Sequence, residues 1–427
     1  MFKKIKKLIS KSDQFLYKKF GSNRGTKFLE NIKEAHIIFS YLNKIGEESK
    51  VRFVGGCVRK SILGKKIDDI DLATSLKPNE VKEKLDLENI KILDTGISHG
   101  TLTVILNKKK FEVTTLRKDI LTDGRHADID FTLSWKDDAE RRDFTINSIY
   151  ADINGRIYDP LNGLSDLQNG KIKFIGNAEE RIQEDYLRIL RYFRFFTQYS
   201  NEDHNQDTIR SIKKYINGLN KISNERIFDE LKKTLCLENI YNLFSNKESK
   251  SIILNIFPQF KFYERLKVFK TLGKKLRDSY DYKLILALLI LDESDHHDFF
   301  CYKYKVSNNI NKMFKNISKN YKDLKNKKFY LDSNIKKLIY LNGKNSVKEI
   351  LLFARCANNK INNSELEEML NYVEKFKIPK FPISGEDLKK HGYESGEALG
   401  RKLKFLEQKW IENNFIIDKD LLKKSLN

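Results

Sequence analysis

Residues 52–74 combine a glycine pair, an arginine and closely spaced carboxylates in the string RFVGGCVRKSILGKKIDDIDLAT. Asp69 and Asp71 are two positions apart in an apolar stretch, so on a strand both carboxylates leave the same face. Such a pair can hold Mg²⁺, and two hard cations about 4 Å apart activate an attacking hydroxyl and stabilise the leaving oxygen in an in-line displacement. The spacing therefore predicts metal-assisted phosphoryl transfer.

The glycine pair that precedes these aspartates suits the phosphates of such a substrate. Gly55 and Gly56 follow a strand-like stretch, residues 51–54, and would let backbone amides approach a phosphate. Arg59 comes within the next turn, where its guanidinium can meet the phosphate charge. Glycine pairs alone are more typical of turns, and aspartates near strand ends are often only solvated. The glycine pair with its arginine, followed in this order by the two aspartates, favours the functional interpretation.

A second segment, EDYLRILRYFRF at residues 184–195, has residue types that can read a nucleotide base. Charged residues recur in it every third position, which predicts that they cover one side of a single helix: Asp185, Arg188, Arg191 and Arg194. Cytosine and adenine present an amine donor beside an unprotonated ring nitrogen, whereas uracil and guanine present a carbonyl beside a ring N–H. A carboxylate beside a guanidinium therefore matches C and A and opposes U and G. A surface helix with i,i+3 salt bridges is the alternative.

These segments, with the strings between them, resemble a known family. Residues 52–74 resemble the head motif of the DNA polymerase β-like nucleotidyltransferases, specifically the class II tRNA nucleotidyltransferases (CCA-adding enzymes) and bacterial poly(A) polymerases. EDYLR coincides with the EDxxR motif of class II CCA-adding enzymes, RRDFTIN at 141–147 is similar to the family's second motif, and residues 158–182 are similar to its linking motif. One departure is Lys60, where many relatives carry an acidic residue.

The resemblance implies roles for two residues of the strand-rich region. Glu112 would support the metals or deprotonate the incoming 3′-hydroxyl; the alternative is an exposed strand glutamate. Arg125 belongs to a string, ILTDGRHADIDF, that is similar to the family's flexible loop, and it would help arrange the site for the final adenosine.

The resemblance also implies contacts with the nucleotide. Arg142 would contact the triphosphate, and Asp143 would contact the ribose 2′-hydroxyl and so favour NTP over dNTP. The alternative for Asp143 is a helix cap. Asp185 and Arg188 would be the template pair, which selects the base in place of a nucleic-acid template, and Arg191 and Arg194 would add nucleotide contacts beside it.

The elements that must position these residues are strands at first and helices later. Alternating β-branched residues at 98–106 and 111–119, around a short polar connection, predict a hairpin with Glu112 in its second strand. A turn at Asp123-Gly124 leads into another alternating run. Beyond residue 195 the period becomes helical, with residues 221–235 as a clear amphipathic case.

Composition agrees with an RNA partner without requiring one. The chain has 427 residues, 40% of them hydrophobic, and a formal net charge of +22, which suits a polyanion. Lysine-rich, proline-poor usage also follows from an AT-rich genome, so the charge is only permissive.

Cysteine spacing and hydropathy favour a reducing compartment. The cysteines are far apart and form no CxxC pair, so we expect neither a zinc site nor a disulfide framework and place the protein in the cytoplasm: Cys57, Cys236, Cys301 and Cys356. The longest apolar run, Leu284 to Leu291, is too short to span a bilayer, so no membrane partner is expected. The basic start MFKKIKKLISK lacks the apolar stretch of a secretory signal.

We therefore expect an α+β fold in which a small mixed-sheet nucleotidyltransferase head is followed by an all-helical neck, body and tail. The expected divisions are a basic N-terminal segment (1–30), the head (31–160), the neck (161–230), the body (231–350) and the tail (351–427). Residues 381–414 carry short helices broken by glycine, at Gly396 and Gly400, and resemble the tail region that engages the elbow of tRNA.

The activity implied by the resemblance is addition of CMP, CMP and AMP, from CTP and ATP, to the 3′ end of tRNA, with Mg²⁺ and no nucleic-acid template. Alternatives are a poly(A) polymerase, which shares the head motifs, and a specialised CC-adding or A-adding enzyme. The strings SHGT and TDGRH and the tail favour CCA addition. An RNA-binding protein that had lost catalysis would need erosion of a metal site that is intact in this sequence. The oligomeric state is left open.

Overall fold

The computed structural model describes residues 32–43, 50–87, 90–122, 127–200, 202–292, 294–324, 332–358 and 360–416. They form two compact units that divide between Arg226 and Ile227. The expected basic segment at residues 1–30 and the loop residue Arg125 lie outside the described residues.

The first unit begins with the strand-rich region and continues into helices. Its strands are β1 (Val51–Val54), β2 (Ile70–Thr74), β3 (Ile90–Gly96), β4 (Thr101–Leu106), β5 (Lys109–Thr115), β6 (Arg117–Thr122), β7 (Ala127–Phe131), β8 (Tyr150–Ala151) and β9 (Ile157–Tyr158). Its helices are α1 (Lys33–Leu42), α2 (Gly56–Ile62), α3 (Pro78–Leu85), α4 (Trp135–Glu140), α5 (Gly163–Gln168), α6 (Ala178–Glu184), α7 (Arg188–Tyr199), α8 (Gln206–Tyr215) and the start of α9 (Asn224–Leu235).

A mixed sheet forms the base of this unit, with strand order β3-β4-β5-β2-β1-β8-β9. β2 and β5 are parallel, whereas β1 is antiparallel to both β2 and β8. β6 and β7 pair separately as an antiparallel ladder. The expected head with a small mixed sheet, followed by helices, is therefore confirmed.

The strands that carry the candidate site are held by burial. All four residues of β1 are buried, which explains its run of apolar and aromatic side chains around Arg52. Val54, Trp135 and Tyr150 pack in one apolar cluster on the side of the sheet where α4 lies. This cluster fixes α4, which leads into the RRD string, against β1 and β8.

The hairpin expected from the alternating pattern is confirmed. β4 and β5 pair from Thr101 with Thr114 to Leu106 with Lys109. Asn107 and Lys108 form the turn with φ values of 49° and 66°, the left-handed conformation that suits the twist of a two-residue hairpin. Glu112 accordingly lies in the second strand.

The described elements of the second unit are helices: the remainder of α9, α10 (Asn242–Ser245), α11 (Lys247–Ile256), α12 (Arg265–Lys270), α13 (Lys274–Asp278), α14 (Tyr282–Ile290), α15 (His296–Lys303), α16 (Asn308–Leu324), α17 (Asp332–Ala357), α18 (Asn363–Lys375), α19 (Gly385–Lys389) and α20 (Glu397–Glu412). Residues 284–290 of α14 are all buried, so the longest apolar run is a core helix. No helix in the described ranges is long and apolar enough to cross a membrane.

Glycines act differently in two helices of the second unit. Gly343 has φ 77° and interrupts α17. Gly396 caps α20, but Gly400 lies inside that helix, so the expected break at Gly400 is wrong. Helical hydrogen bonding continues through Gly400, because its N–H donates to the Gly396 carbonyl at 3.2 Å.

The cysteines are all free: Cys57, Cys236, Cys301 and Cys356. This agrees with the expected absence of a disulfide framework.

Candidate active site

The candidate metal carboxylates meet at the junction of β2 and β5. Asp71 lies on β2 directly opposite Glu112 on β5, and Asp69 immediately precedes β2. Burial raises the pKa of Asp71, and although Arg142 opposes this effect, the like charges of Asp69 and Glu112 raise it further. Asp69 and Glu112 thus each repel the charge of Asp71, and a bound cation would relieve that repulsion.

Their donor atoms suit a hard cation, because Mg²⁺ prefers oxygen and is usually held by one or two carboxylates plus substrate phosphates. Across the described ranges, no cluster of three or more His, Cys, Asp or Glu side chains is gathered in metal-binding geometry. Glu112 instead pairs with Lys110 at 2.6 Å and accepts from the Thr103 hydroxyl at 3.3 Å. The arrangement fits Asp69 and Asp71 as the ligands, with Glu112 beside them.

The glycine pair lies between β1 and α2. Gly55 has φ 68°, a conformation that side chains rarely adopt, and its N–H donates to the Ile149 carbonyl at 3.1 Å. A Cβ on Gly55 would lie 3.5 Å from the Asn147 carbonyl oxygen, whereas one on Gly56 would meet nothing within 4 Å. The backbone conformation at position 55 requires glycine, whereas Gly56, the first residue of α2, borders open space.

Arg59 is only 5% exposed. Its Nη1 donates to the Asn147 side chain and the Ile146 carbonyl, and its guanidinium lies 4.9 Å from the Phe195 ring centroid. These contacts join α2 to the RRDFTIN string and to α7. A contact between the Arg59 guanidinium and a substrate phosphate stays a prediction.

Arg142 is held from one side by a buried acid. Its Nη2 donates to Asp138 Oδ2 at 2.9 Å, and its Nε lies 3.2 Å from the Tyr150 hydroxyl. Its charge lowers the pKa of Asp71, which means that Arg142 lies near the carboxylate site. A positive group beside these carboxylates is what a triphosphate contact requires.

Asp143 is buried and fully engaged. Oδ1 accepts from Asn147 Nδ2 at 2.7 Å, and Oδ2 accepts from Arg191 Nε at 2.7 Å. Burial alone would raise the pKa of Asp143, but Arg191 and Asn147 outweigh it, so the pKa is lowered to about 2. Phe144, not Asp143, occupies the cap position of the short 3-10 turn Thr145–Asn147.

The expected single helix through Asp185 and the three arginines is wrong. α6 ends at Glu184 and α7 begins at Arg188, and Asp185 has extended backbone angles, φ −154° and ψ 103°. Asp185 Oδ1 accepts from the Leu187 N–H at 3.1 Å, a local bond that competes with helix continuation. Asp185 therefore lies at the junction of two helices, and the arginines follow on the second.

The two members of the expected template pair have separate partners. Asp185 Oδ2 accepts from Arg226 Nη2 at 2.8 Å. Arg188 Nη1 donates to the Arg181 carbonyl at 3.0 Å and to Glu184. The Arg188 N–H donates to the Asp185 carbonyl at 3.0 Å, so the two residues are adjacent through their backbones.

The remaining α7 arginines surround one aromatic ring. The guanidinium carbon of Arg194 lies 4.1 Å from the centroid of the Phe195 ring, and that of Arg191 lies 5.5 Å from it. Leu190 and Phe193, on the other side of α7, are buried.

Sequence reasoning did not identify Arg226 or Asp138. Arg226 lies in the amphipathic stretch 221–235, where its charge suggests only a solvated face. Asp138 had a signal: it precedes Arg141 and Arg142 by three and four residues, the helical spacing of ion pairs.

Family comparisons cover most of the chain. A family model for the poly A polymerase head domain matches residues 51–173. Models for a "Probable RNA and SrmB-binding site of polymerase A" and for tRNA nucleotidyltransferase domain 2 match residues 205–263 and 279–426.

Solved structures share the fold. The Bacillus stearothermophilus CCA-adding enzyme in complex with CTP has a TM-score of 0.69 at 24% identity, covering 89% of this chain and 93% of that one. The Thermotoga maritima CCA-adding enzyme complexed with tRNA has a TM-score of 0.62 at 20% identity, covering 94% and 98%.

Curated relatives extend over nearly the whole chain. The mitochondrial CCA tRNA nucleotidyltransferase 1 of Homo sapiens is 34% identical over 410 residues, covering 92% of this chain and 89% of that protein. The CCA-adding enzyme of Ligilactobacillus salivarius is 32% identical over 418 residues, covering 92% and 95%. With identity of this extent, the chain belongs to the tRNA nucleotidyltransferase family of CCA-adding enzymes.

Proposed function

We propose that this protein adds CMP, CMP and AMP, from CTP and ATP, to the 3′ end of tRNA. In each step the tRNA 3′-hydroxyl oxygen attacks the α-phosphorus, a phosphodiester bond forms, and the bond to pyrophosphate breaks. The observation that carries the proposal is the Asp143–Arg191 pair, at 2.7 Å. It links the RRD segment to α7, the helix whose arginines would contact the base and the rest of the nucleotide.

The carboxylates Asp69 and Asp71 would hold Mg²⁺, which when bound activates the attacking hydroxyl and stabilises the leaving oxygen. Glu112 faces Asp71 across the parallel strand pair, a position suited to supporting that site or accepting the proton of the 3′-hydroxyl. Its engagement with Lys110 means that it must exchange partners to do so.

The triphosphate would be bound at the start of α2 and by Arg142. Gly56 borders open space, so a phosphate can approach its backbone. Arg142 brings a positive charge near the carboxylates, and Arg59 adds a second, since the charge of each lowers the pKa of Asp71. Asp143 would accept from the ribose 2′-hydroxyl through the oxygens that now bind Asn147 and Arg191.

Base selection would be made at the α6–α7 junction. Asp185 offers an acceptor and Arg188 a donor, the pattern that C and A match. A base edge would share the Asp185 carboxylate with Arg226 and would draw Arg188 from Glu184. Arg191 and Arg194 would contact the nucleotide from the next turns, and Arg125 would act from the loop outside the described residues.

We assign tRNA elbow binding to the tail, residues 351–427, within the five-part division of the chain given above. The α20 segment supports this, since it carries basic side chains that suit a phosphate backbone: Arg401 and Lys404 are exposed, and Lys402 is half-buried.

We also propose a reducing compartment, the cytoplasm, on the basis of the free cysteines. The relatives from Homo sapiens, Mus musculus and Danio rerio are named as mitochondrial, so a localisation measurement is needed to choose between the two.

The test is to incubate the purified protein with Mg²⁺, all four NTPs and a tRNA that ends before CCA, then sequence the product 3′ ends. We expect a homogeneous CCA end and no extension of a generic RNA. Long A tracts on generic RNA would instead identify a poly(A) polymerase, and products ending in CC or A alone would identify a specialised enzyme.

A further inference from the structure

A buried acid lies behind the RRD string. Asp138 on α4 is 0% exposed. An isolated carboxylate in such a place is strongly disfavoured in its charged form. Asp138 instead meets a guanidinium with each oxygen: Oδ1 accepts from Arg141 Nε at 2.8 Å, and Oδ2 accepts from Arg142 Nη2 at 2.9 Å.

A tyrosine completes this arrangement. The Tyr150 hydroxyl donates to Asp138 Oδ2 at 2.7 Å, and Arg142 Nε lies 3.2 Å from the same hydroxyl oxygen. Burial alone would raise the pKa of Asp138, but the charges of Arg142 and Arg141, with the bond from Tyr150, bring that pKa well below its usual value. Asp138 is therefore an anion that pairs with two arginines, and the three side chains together keep one positive charge.

The guanidinium of Arg142 is held by one edge only. Nε and Nη2 are used by Asp138 and Tyr150, while Nη1 makes no hydrogen bond to the described residues. Nη1 lies 3.8 Å from the point that a Cβ on Gly55 would occupy. The unbonded edge of the fork therefore faces the glycine pair.

We propose that Asp138 is a positioning residue for the nucleotide triphosphate: supported by Tyr150, it fixes Arg142 so that Nη1 lies beside Gly55, next to the proposed phosphate site at Gly56. This rests on the proposed role of Arg142 as a triphosphate contact. A long arginine side chain loses considerable freedom when it binds a phosphate, and a side chain already held in place avoids that loss.

The test compares the dissociation constants of CTP and CMP, because only CTP has the β- and γ-phosphates. Tyr150→Phe keeps the ring and removes one bond to Asp138, so CTP should bind roughly 3- to 10-fold more weakly while CMP binding is unchanged. Asp138→Asn should have a larger effect of the same kind. A merely structural role would weaken CTP and CMP alike.

Tyr158→Phe is the matched control. Its ring lies 6.1 Å from that of Tyr150, but its hydroxyl makes no hydrogen bond to Asp138. The ratio of CTP to CMP affinity should be that of the unmodified protein. Because Asp138→Asn leaves two arginines less well neutralised and can fail to fold, Tyr150→Phe decides the outcome in that case.

Arg142→Lys separates this inference from the proposal beneath it. If Arg142→Lys leaves the CTP to CMP ratio unchanged, Arg142 is not a triphosphate contact and both statements are wrong. If Arg142→Lys weakens CTP alone, while Tyr150→Phe and Asp138→Asn leave the ratio unchanged, only the positioning role of Asp138 is overturned.

Discussion

The Asp143 carboxylate accepts a hydrogen bond from Arg191 Nε at 2.7 Å and lies 2.6 Å from Arg191 Nη2, although 48 residues separate the two in the chain. The Asp143 side chain is 8% exposed and that of Arg191 is 30% exposed. The pair therefore ties the RRD segment to α7 before any nucleotide binds, and two predictions depend on it.

Removal of the arginine should destabilise the protein. Arg191→Met leaves Asp143 buried without its main counterion, so we expect a loss of about 1–3 kcal/mol in the free energy of unfolding. Urea denaturation followed by circular dichroism measures it. The control is Arg210→Met, because Arg210 and Asp207 form an exposed pair and its loss should cost well under about 1 kcal/mol. Equal losses in the two variants would contradict a structural role for the buried pair.

The same carboxylate predicts a pH dependence. The pKa of Asp143 is lowered to about 2 in the folded protein, against about 3.9 when unfolded, so its contribution to stability is present above the unfolded value. That contribution, about 2–3 kcal/mol, should fall as the pH drops from about 4 to about 2. The measurement is the stability difference between the unmodified protein and Asp143→Asn across this range. A difference that stays constant to pH 2 would contradict the lowered pKa.

The carboxylate site predicts a separation of catalysis from RNA binding. Asp71→Asn should abolish incorporation of both C and A and weaken Mn²⁺ binding, while tRNA affinity stays nearly unchanged, because the substitution removes no positive charge. Asp68→Asn is the control: Asp68 is exposed and pairs with Lys60 at 2.9 Å, so its loss should leave turnover intact. Substantial turnover in Asp71→Asn would exclude Asp71 as a metal ligand.

Base selection can be tested at the α6–α7 junction. UTP would set a carbonyl against Asp185 and a ring N–H against Arg188, two mismatches of about 1–3 kcal/mol each when buried. Asp185→Ala removes one mismatch for UTP and one matching bond for CTP and ATP. It should therefore lower incorporation of C and A and reduce the difference in kcat/KM between these two nucleotides and UTP. The measurement is kcat/KM for all four NTPs on one tRNA. A uniform decrease would mean that Asp185 does not read the base.

The two glycines before α2 should respond differently to a side chain. Gly55→Ala forces alanine into φ 68°, ψ −116°, a backbone conformation that is sparsely populated by residues other than glycine, at a cost of about 1–3 kcal/mol, and places a Cβ 3.5 Å from the Asn147 carbonyl oxygen. Gly56→Ala meets nothing within 4 Å, so the melting temperature should be unchanged or slightly higher. Thermal denaturation of the two variants side by side distinguishes them. Equal melting temperatures for the two variants would show that position 55 accepts a side chain without backbone strain.

Local patterns determined much of the head and its chemistry. Alternation in residues 98–119 is sufficient to identify the β4–β5 hairpin, because a strand with one buried face requires that period. The i,i+3 spacing of Arg188, Arg191 and Arg194 was also sufficient to place them on one helix. The close spacing of Asp69 and Asp71 was sufficient to place both carboxylates at β2, with Asp69 immediately before the strand. Residue types and short spacings therefore predicted the kind of reaction.

The partners of the charged residues were decided only by the tertiary structure. Asp185 pairs with Arg226, 41 residues away, and Asp143 with Arg191, 48 residues away. A periodic pattern cannot reveal such pairs, because they depend on which helices pack together. The same packing buries Arg59 against Phe195, which its position in the chain does not suggest. The helix break at Asp185 arises because its side chain bonds the Leu187 N–H, a local competition that charge spacing alone does not reveal.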